Sequence, residues 1–132
     1  MRPTTRMSDR LRRVKYAESV LDTIGNTPLV KLNRVTAGVK CTVLAKLEQF
    51  NPGGSVKDRI GINMIREEEK KGTLKPGGTI VGCTSGDTGL GLARAASILG
   101  YKCVFTMPDK VPLEKEYMLK AYGAEVIRCP TN

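Results

Sequence analysis

Apolar and polar positions change period repeatedly along the chain. Residues 41–47 (CTVLAKL) are short, aliphatic and β-branched, and predict a strand. Asn51-Pro52-Gly53-Gly54 predicts a loop, and Ser55 opens a helix with Asp58 three residues on, an acidic variant of the capping box. Val56, Ile60 and Met64 recur four apart, with Gly61 and Ile65 beside them, as the apolar stripe of that helix. Gly72, after Lys70 and Lys71, predicts its stop, and Lys75-Pro76-Gly77-Gly78 a turn. Thr79–Cys83 (TIVGC) predicts a second strand, 84–89 a polar glycine loop, and Leu92, Ala93, Ala96 and Leu99 a small-residue helix running to Gly100. Residues 102–107 predict a third strand broken by Pro108, 113–122 a helix ended by Gly123, and 125–128 a fourth strand.

Strands and helices alternating at these lengths imply βαβ units, and hence an α/β fold with a parallel sheet. Before residue 41 the pattern differs: 18–24 predicts a short helix and 28–32 a short strand, joined through a turn at Gly25-Asn26. The chain stops directly after its last predicted strand, so it is expected to be the N-terminal part of something longer.

Composition narrows the function classes. Forty per cent hydrophobic and 27% charged residues in 132 are the proportions of a folded domain. No run approaches the roughly 18 apolar residues of a membrane span. The opening residues are polar and basic rather than an apolar leader, so a cytoplasmic location is expected. There is no histidine, which removes a Ser-His-Asp triad, a Cys-His nucleophile and any His-ligated metal. Cys41, Cys83, Cys103 and Cys129 form no C-x-x-C pair, so no metal site is expected and buried, reduced thiols are. Of the net charge of +9, residues 1–15 hold +5, from Arg2, Arg6, Arg10, Arg12, Arg13 and Lys15 against Asp9. That arm has no interleaved aromatic residue and matches no nucleic-acid-binding motif; it reads as a flexible, solvated terminus, with neither nucleic acid nor membrane as partner.

Two segments bear chemistry. In NPGGSVKDR (51–59), Lys57 falls in the first turn of a helix. A cation there opposes the helix dipole at a cost of roughly 0.3–1 kcal/mol, and the same field favours the neutral, nucleophilic amine. Gly53 and Gly54 would let a flat ligand approach the backbone. An imine-forming lysine needs such conditions, although on spacing alone a surface lysine beside Asp58 is the plainer reading. The second segment, TSGDTG (84–89), joins a strand to a helix N-terminus, where free N–H groups favour a carboxylate or phosphate, with Thr84, Ser85 and Thr88 adding hydroxyls. Its glycines run G-x-x-G-x-G, not the dinucleotide-binding G-x-G-x-x-G, and no Gly-Lys-Ser/Thr ends it as in a P-loop.

Taken in order, DTIGNTPLVKLNRV (22–35), AKLEQFNPGGSVKDRI (45–60), KPGGTIVGCTSGDTGLGLA (75–93), MPDK (107–110) and AYGAEV (121–126) resemble the pyridoxal-phosphate enzymes of fold type II. The likeness is strongest to the cystathionine β-synthases, then to the cysteine synthases (O-acetylserine sulfhydrylases). The resemblance implies a three-layer α/β sandwich with a mostly parallel sheet, as in the tryptophan synthase β-subunit, here its N-terminal portion. It implies that Lys57 holds pyridoxal 5′-phosphate as a Schiff base and then shuttles the α-proton. It implies further that Thr84, Ser85, Gly86 and Thr88 bind the substrate carboxylate. Asp87 stands where the family has an asparagine that bonds the cofactor ring oxygen, and Asn51 takes a supporting role. The implied reaction is β-replacement: L-serine or an activated serine exchanges its β-substituent for a thiol, homocysteine first and sulfide as the alternative. The implied partners are those small molecules and, for the full-length protein, a second copy in a homodimer.

The resemblance also divides the chain into the arm 1–15, a segment 16–40 packing on a large domain, and 41–132 as a partial small domain carrying the Schiff-base lysine and the carboxylate loop. It departs from the family at Gly82, Cys83 and Asp87. An ionised Asp87 only accepts hydrogen bonds and repels a nearby carboxylate. Either it stays protonated or the site is impaired, which leaves a non-catalytic paralogue as the rival reading. The family's phosphate-binding loop lies downstream of these residues, so the 132-residue chain alone is expected to be inactive. No haem is expected in a chain without histidine.

Overall fold

The computed structural model describes residues 16–131, so the basic arm 1–15 lies outside the described residues. Two sheets are present. Strand β1 (Leu29–Lys31) pairs antiparallel with β2 (Leu44–Lys46), in the register Leu29↔Lys46, Val30↔Ala45, Lys31↔Leu44. Strands β3 (Thr79–Cys83), β4 (Lys102–Pro108) and β5 (Glu125–Cys129) form a parallel sheet in the order β3-β4-β5. Three helices complete the order: α1 (Lys57–Lys71) before β3, α2 (Asp87–Leu99) between β3 and β4, and α3 (Leu113–Ala121) between β4 and β5. This is the α/β architecture with a parallel sheet that the alternation implies.

The strand at 41–47 is shorter than its composition suggests and is no part of the parallel sheet. It is an exposed hairpin partner of β1, because the 3₁₀ turn Glu48–Phe50 and the following loop turn the chain away before α1 begins. The helix at 18–24 is a single 3₁₀ turn, Val20–Thr23, closed by a capping box between Ser19 and Asp22. Pro108 ends β4 rather than preceding its end; it lies past the last β3 partner of β4, so its missing N–H breaks no β3–β4 bond.

The core forms where helices cover one face of the parallel sheet. Alternation along the central strand points Cys103, Phe105 and Met107 inward, the last two fully buried. The inward row meets α2, which is buried along Leu90, Leu92, Ala93, Ala95 and Ala96. On the other face Val81 is 72% and Ile127 45% exposed. Small residues suit α2 because it packs on two sides, against β4 and against α1.

The α1–α2 crossing overturns one sequence expectation. The buried face of α1 is Asp58, Gly61, Ile62 and Ile65, whereas Val56, Ile60 and Met64 are 38–48% exposed. The cause is backbone contact. A Cβ on Gly61 would lie 2.5 Å from the Gly91 carbonyl oxygen, and one on Gly91 would lie 2.5 Å from the Lys57 carbonyl oxygen. Helix axes this close choose the glycine face, not the row with the most carbon. Among the described residues no helix is long and apolar enough to cross a membrane.

Candidate active site

The same crossing sets the N-termini of α1 and α2 beside each other. Lys57 is the first residue of α1, half-buried, and its side chain makes no hydrogen bond or ion pair among the described residues. Its N–H donates to Ser55 Oγ at 3.2 Å, and that hydroxyl in turn donates to Asp87 Oδ2 at 3.3 Å. Ser55 therefore bridges the lysine segment to the first residue of α2. The expected capping box is absent: Val56 occupies the N-cap, and Asp58 does not reach back to Ser55.

Asp58 is committed elsewhere. Its buried carboxylate accepts the Gly53 N–H at 2.6 Å and a short bond from Arg94 Nη1 of α2. Arg94 also donates from Nε to the Tyr122 hydroxyl at 3.1 Å and lies over the Tyr122 ring, 5.1 Å from its centroid. The space over Gly53, read from sequence as room for a ligand, is filled by the Arg94 guanidinium; at Gly54 the space is open and φ is +72°. Neither Asp58 nor Arg94 was a candidate functional residue in the sequence, though Arg94 is the only charged residue in the otherwise small and apolar stretch 88–99.

A second network holds the stretch just before the lysine loop. Glu48 takes Arg59 in a two-pronged contact, Nε at 2.8 Å and Nη2 at 3.0 Å. It also accepts Thr27 Oγ1 at 2.6 Å and Asn51 Nδ2 at 2.8 Å. The Arg59 guanidinium, with Thr27 and Asn51, drives the Glu48 carboxyl down from its ordinary 4.5 to about 2. Asn51 is buried, and its amide oxygen Oδ1 accepts the Gly25 N–H at 2.9 Å. Its supporting role is thus to join the turn at Gly25 and Asn26, both at positive φ, to the loop ahead of Lys57.

The loop 84–89 is shaped by Thr84. Its Oγ1 accepts the Gly89 N–H at 3.0 Å and, more weakly, that of Gly86 at 3.4 Å, while its own N–H donates to the Thr106 carbonyl. The proton of that hydroxyl is directed at the Gly86 carbonyl at 3.4 Å, so all three contacts of Oγ1 lie inside the loop. Ser85 is exposed and Thr88 half-buried, and neither side chain makes a hydrogen bond among the described residues. Asp87 is 52% exposed, with Lys115 Nζ of α3 at 3.6 Å.

The four cysteines are free, and the expectation of buried thiols holds for Cys103 alone: Cys41 and Cys83 are exposed and Cys129 half-buried. Cys103 points inward from β4, and burial pushes its thiol up to about 11. Cys83 and Cys129 are on the strands' other face, which no helix among the described residues covers, so strand membership did not imply burial.

Comparison with known proteins places this arrangement. Residues 20–132 match the family described as pyridoxal-phosphate dependent enzyme. Over 120 residues the chain is 55% identical to cystathionine β-synthase of Rattus norvegicus, covering 89% of this chain and 21% of that protein. Among solved structures, the O-acetyl serine sulfhydrylase isoform 3 of Entamoeba histolytica superposes with a TM-score of 0.83 at 42% identity, covering 89% of this chain and 36% of that one. An O-ureido-L-serine synthase superposes with a TM-score of 0.79 at 44% identity, over 88% and 36% of the two chains. The chain thus spans about a fifth of the length of the curated relative and about a third of the solved ones. A family match over 113 consecutive residues, carried by the same parallel sheet and crossed helices, means that the chain belongs to the pyridoxal-phosphate dependent enzymes of fold type II.

Proposed function

We propose that the protein to which this chain belongs catalyses β-replacement on L-serine or an activated serine with a thiol. Cystathionine formation from serine and homocysteine is the first reading, and cysteine formation from O-acetylserine and sulfide the second. One observation carries it: the close crossing at Gly61 and Gly91 puts the amine-bearing start of α1 beside a loop at the start of α2 whose Ser85 and Thr88 hydroxyls have no partner among the described residues.

The donor set fits the cofactor. A primary amine with no partner among the described residues suits its aldehyde, and the exposed glycine loop suits an anionic amino acid. Lys57 would hold pyridoxal 5′-phosphate and Asp87 would face it. When bound, the cofactor supplies an electron sink for charge at the amino-acid α-carbon. Ser85 Oγ, Thr88 Oγ1 and the backbone of Gly86 bind the substrate carboxylate, with Thr84 holding their loop in shape. The Lys57 amine would also take the α-proton, its position set by the Asp58–Arg94 pair one residue on. The full-length protein is proposed to act as a homodimer in the cytoplasm.

The test is cofactor trapping on the full chain: incubation with pyridoxal 5′-phosphate, borohydride reduction and peptide mass mapping, with Lys57→Ala as control. Selective label on Lys57 is expected; label spread over surface lysines refutes the assignment. Turnover of the full-length protein with sulfide but none with homocysteine would replace the first reading by the second.

A further inference from the structure

Asp87 is an awkward residue for a loop that takes a carboxylate, and its surroundings show how the fold accommodates it. The aspartate is the first residue of α2, and its carboxylate is shared between two other elements. Ser55 Oγ, from the lysine loop, donates to Oδ2 at 3.3 Å, and Lys115 Nζ, from α3, lies 3.6 Å from Oδ1. Lys115 is not a loosely placed surface residue. Its neighbour Glu116 is buried and anchors α3 to β5 through Arg128 at 3.0 Å, with Lys120 at 2.7 Å on its other oxygen. Arg128 donates also to the carbonyl of Val111 at 2.7 Å, and to that of Asp109, which pins the turn leading into α3. The start of α3 is thus held against the sheet, with Lys115 directed at the head of α2.

Resting on the carboxylate-loop reading above, we infer that Lys115 is a positioning residue of that loop, its ammonium offsetting the Asp87 charge so that the loop still attracts an amino-acid carboxylate. The physical ground is local charge. The helix N-terminus offers about half a positive charge, which one unpaired carboxylate outweighs. With Lys115 beside it the pair is neutral, and the N–H groups of the loop again set the sign of the field. Both partners are partly exposed, so the offset is screened and its effect on affinity is about three- to tenfold rather than absolute.

The test uses the full-length protein, isotope-labelled and free of cofactor, titrated with L-serine while the amide resonances of Ser85, Thr88 and Gly89 are followed. Lys115→Ala is expected to weaken the apparent affinity about three- to tenfold, and Lys115→Arg to restore it. In the Asp87→Asn background Lys115→Ala is expected to change it less than about twofold, since no charge is left to offset. Equal affinities for the parent chain and Lys115→Ala would overturn the inference, as would an equal loss in both backgrounds, which marks Lys115 as a direct ligand or a structural prop. If L-serine moves none of these amides in the parent chain, the carboxylate-loop reading falls, and the inference with it. If the amides move but ignore Lys115, the inference alone falls. Resonances of β4 and α1 unchanged in Lys115→Ala show that the variant is folded.

Discussion

The two loops that meet at the crossed helices are held in opposite ways. The lysine loop, 51–57, is tied to other elements at two points: Asn51 is buried against Glu48 and Gly25, and Gly53 is bonded to Asp58 beneath the Arg94 guanidinium. The loop 84–89 is shaped from within by the Thr84 hydroxyl and touched from outside only at its ends, by Thr106 at Thr84 and by Ser55 and Lys115 at Asp87, which leaves Ser85 exposed. The difference matches two tasks. A group that forms a covalent bond gains from a rigid base, whereas a group that captures a ligand must keep donors unspent. Rigidity around Lys57 is supplied by the buried Asp58–Arg94 pair and the half-buried Glu48–Arg59 pair, and openness at 84–89 by a helix start with few internal partners.

The contrast breaks most readily at its buried pair. Asp58→Ala strands the Arg94 guanidinium between α1 and α2, and chemical denaturation is expected to show a loss of about 3–5 kcal/mol. A loss under about 1 kcal/mol would mean that the guanidinium escapes to water and that the lysine loop is less locked than described. Gly61→Ala drives a methyl group into the Gly91 backbone and is expected to cost about 1–3 kcal/mol. It should also lower cofactor trapping at Lys57, because the helix starts separate; full stability with full trapping would contradict the close crossing.

A finer probe is acid. With the folded Glu48 carboxyl at about 2 against 4.5 ordinarily, the unfolded state binds the extra proton first. The stabilisation from Glu48 is whole above about pH 4.5 and is lost as pH falls towards 2. Glu48→Gln should therefore lower the melting temperature at pH 6 and flatten its fall between pH 5 and 2; an unchanged slope would detach Glu48 from the acid response. The smallest effect is chemical rather than structural. At pH 8, alkylation followed by intact mass should label Cys41 and Cys83 well before Cys103, whose thiol sits near 11. Equal rates would mean that the core under α2 opens as freely as the surface.

Much of the secondary structure was legible in the residues. β3 coincides with TIVGC, Gly72 and Gly100 cap their helices in the left-handed conformation, and the break after Ala121 falls where Gly123 predicts it. Local chemistry decides these features, since glycine punctuation and β-branched runs act within a few residues. The buried face of α1 was misread because Val56, Ile60 and Met64 make the better stripe by periodicity, while backbone approach at Gly61 outweighs it. The Asp58 capping role failed for a related reason: one carboxylate oxygen takes the buried Arg94 guanidinium and the other the Gly53 N–H, which turns the side chain away from Ser55.

The sequence by itself determined the alternation of strands and helices, the two chemistry-bearing loops, and the likeness to fold type II enzymes, because each depends on residue type and order along a short stretch. Only the tertiary structure decided which partners those loops take. Arg94 reaches Asp58 across 36 residues and Lys115 reaches Asp87 across three elements. No local spacing encodes such pairs, since they exist only once α1, α2 and α3 have packed, buried in the first case and partly solvated in the second.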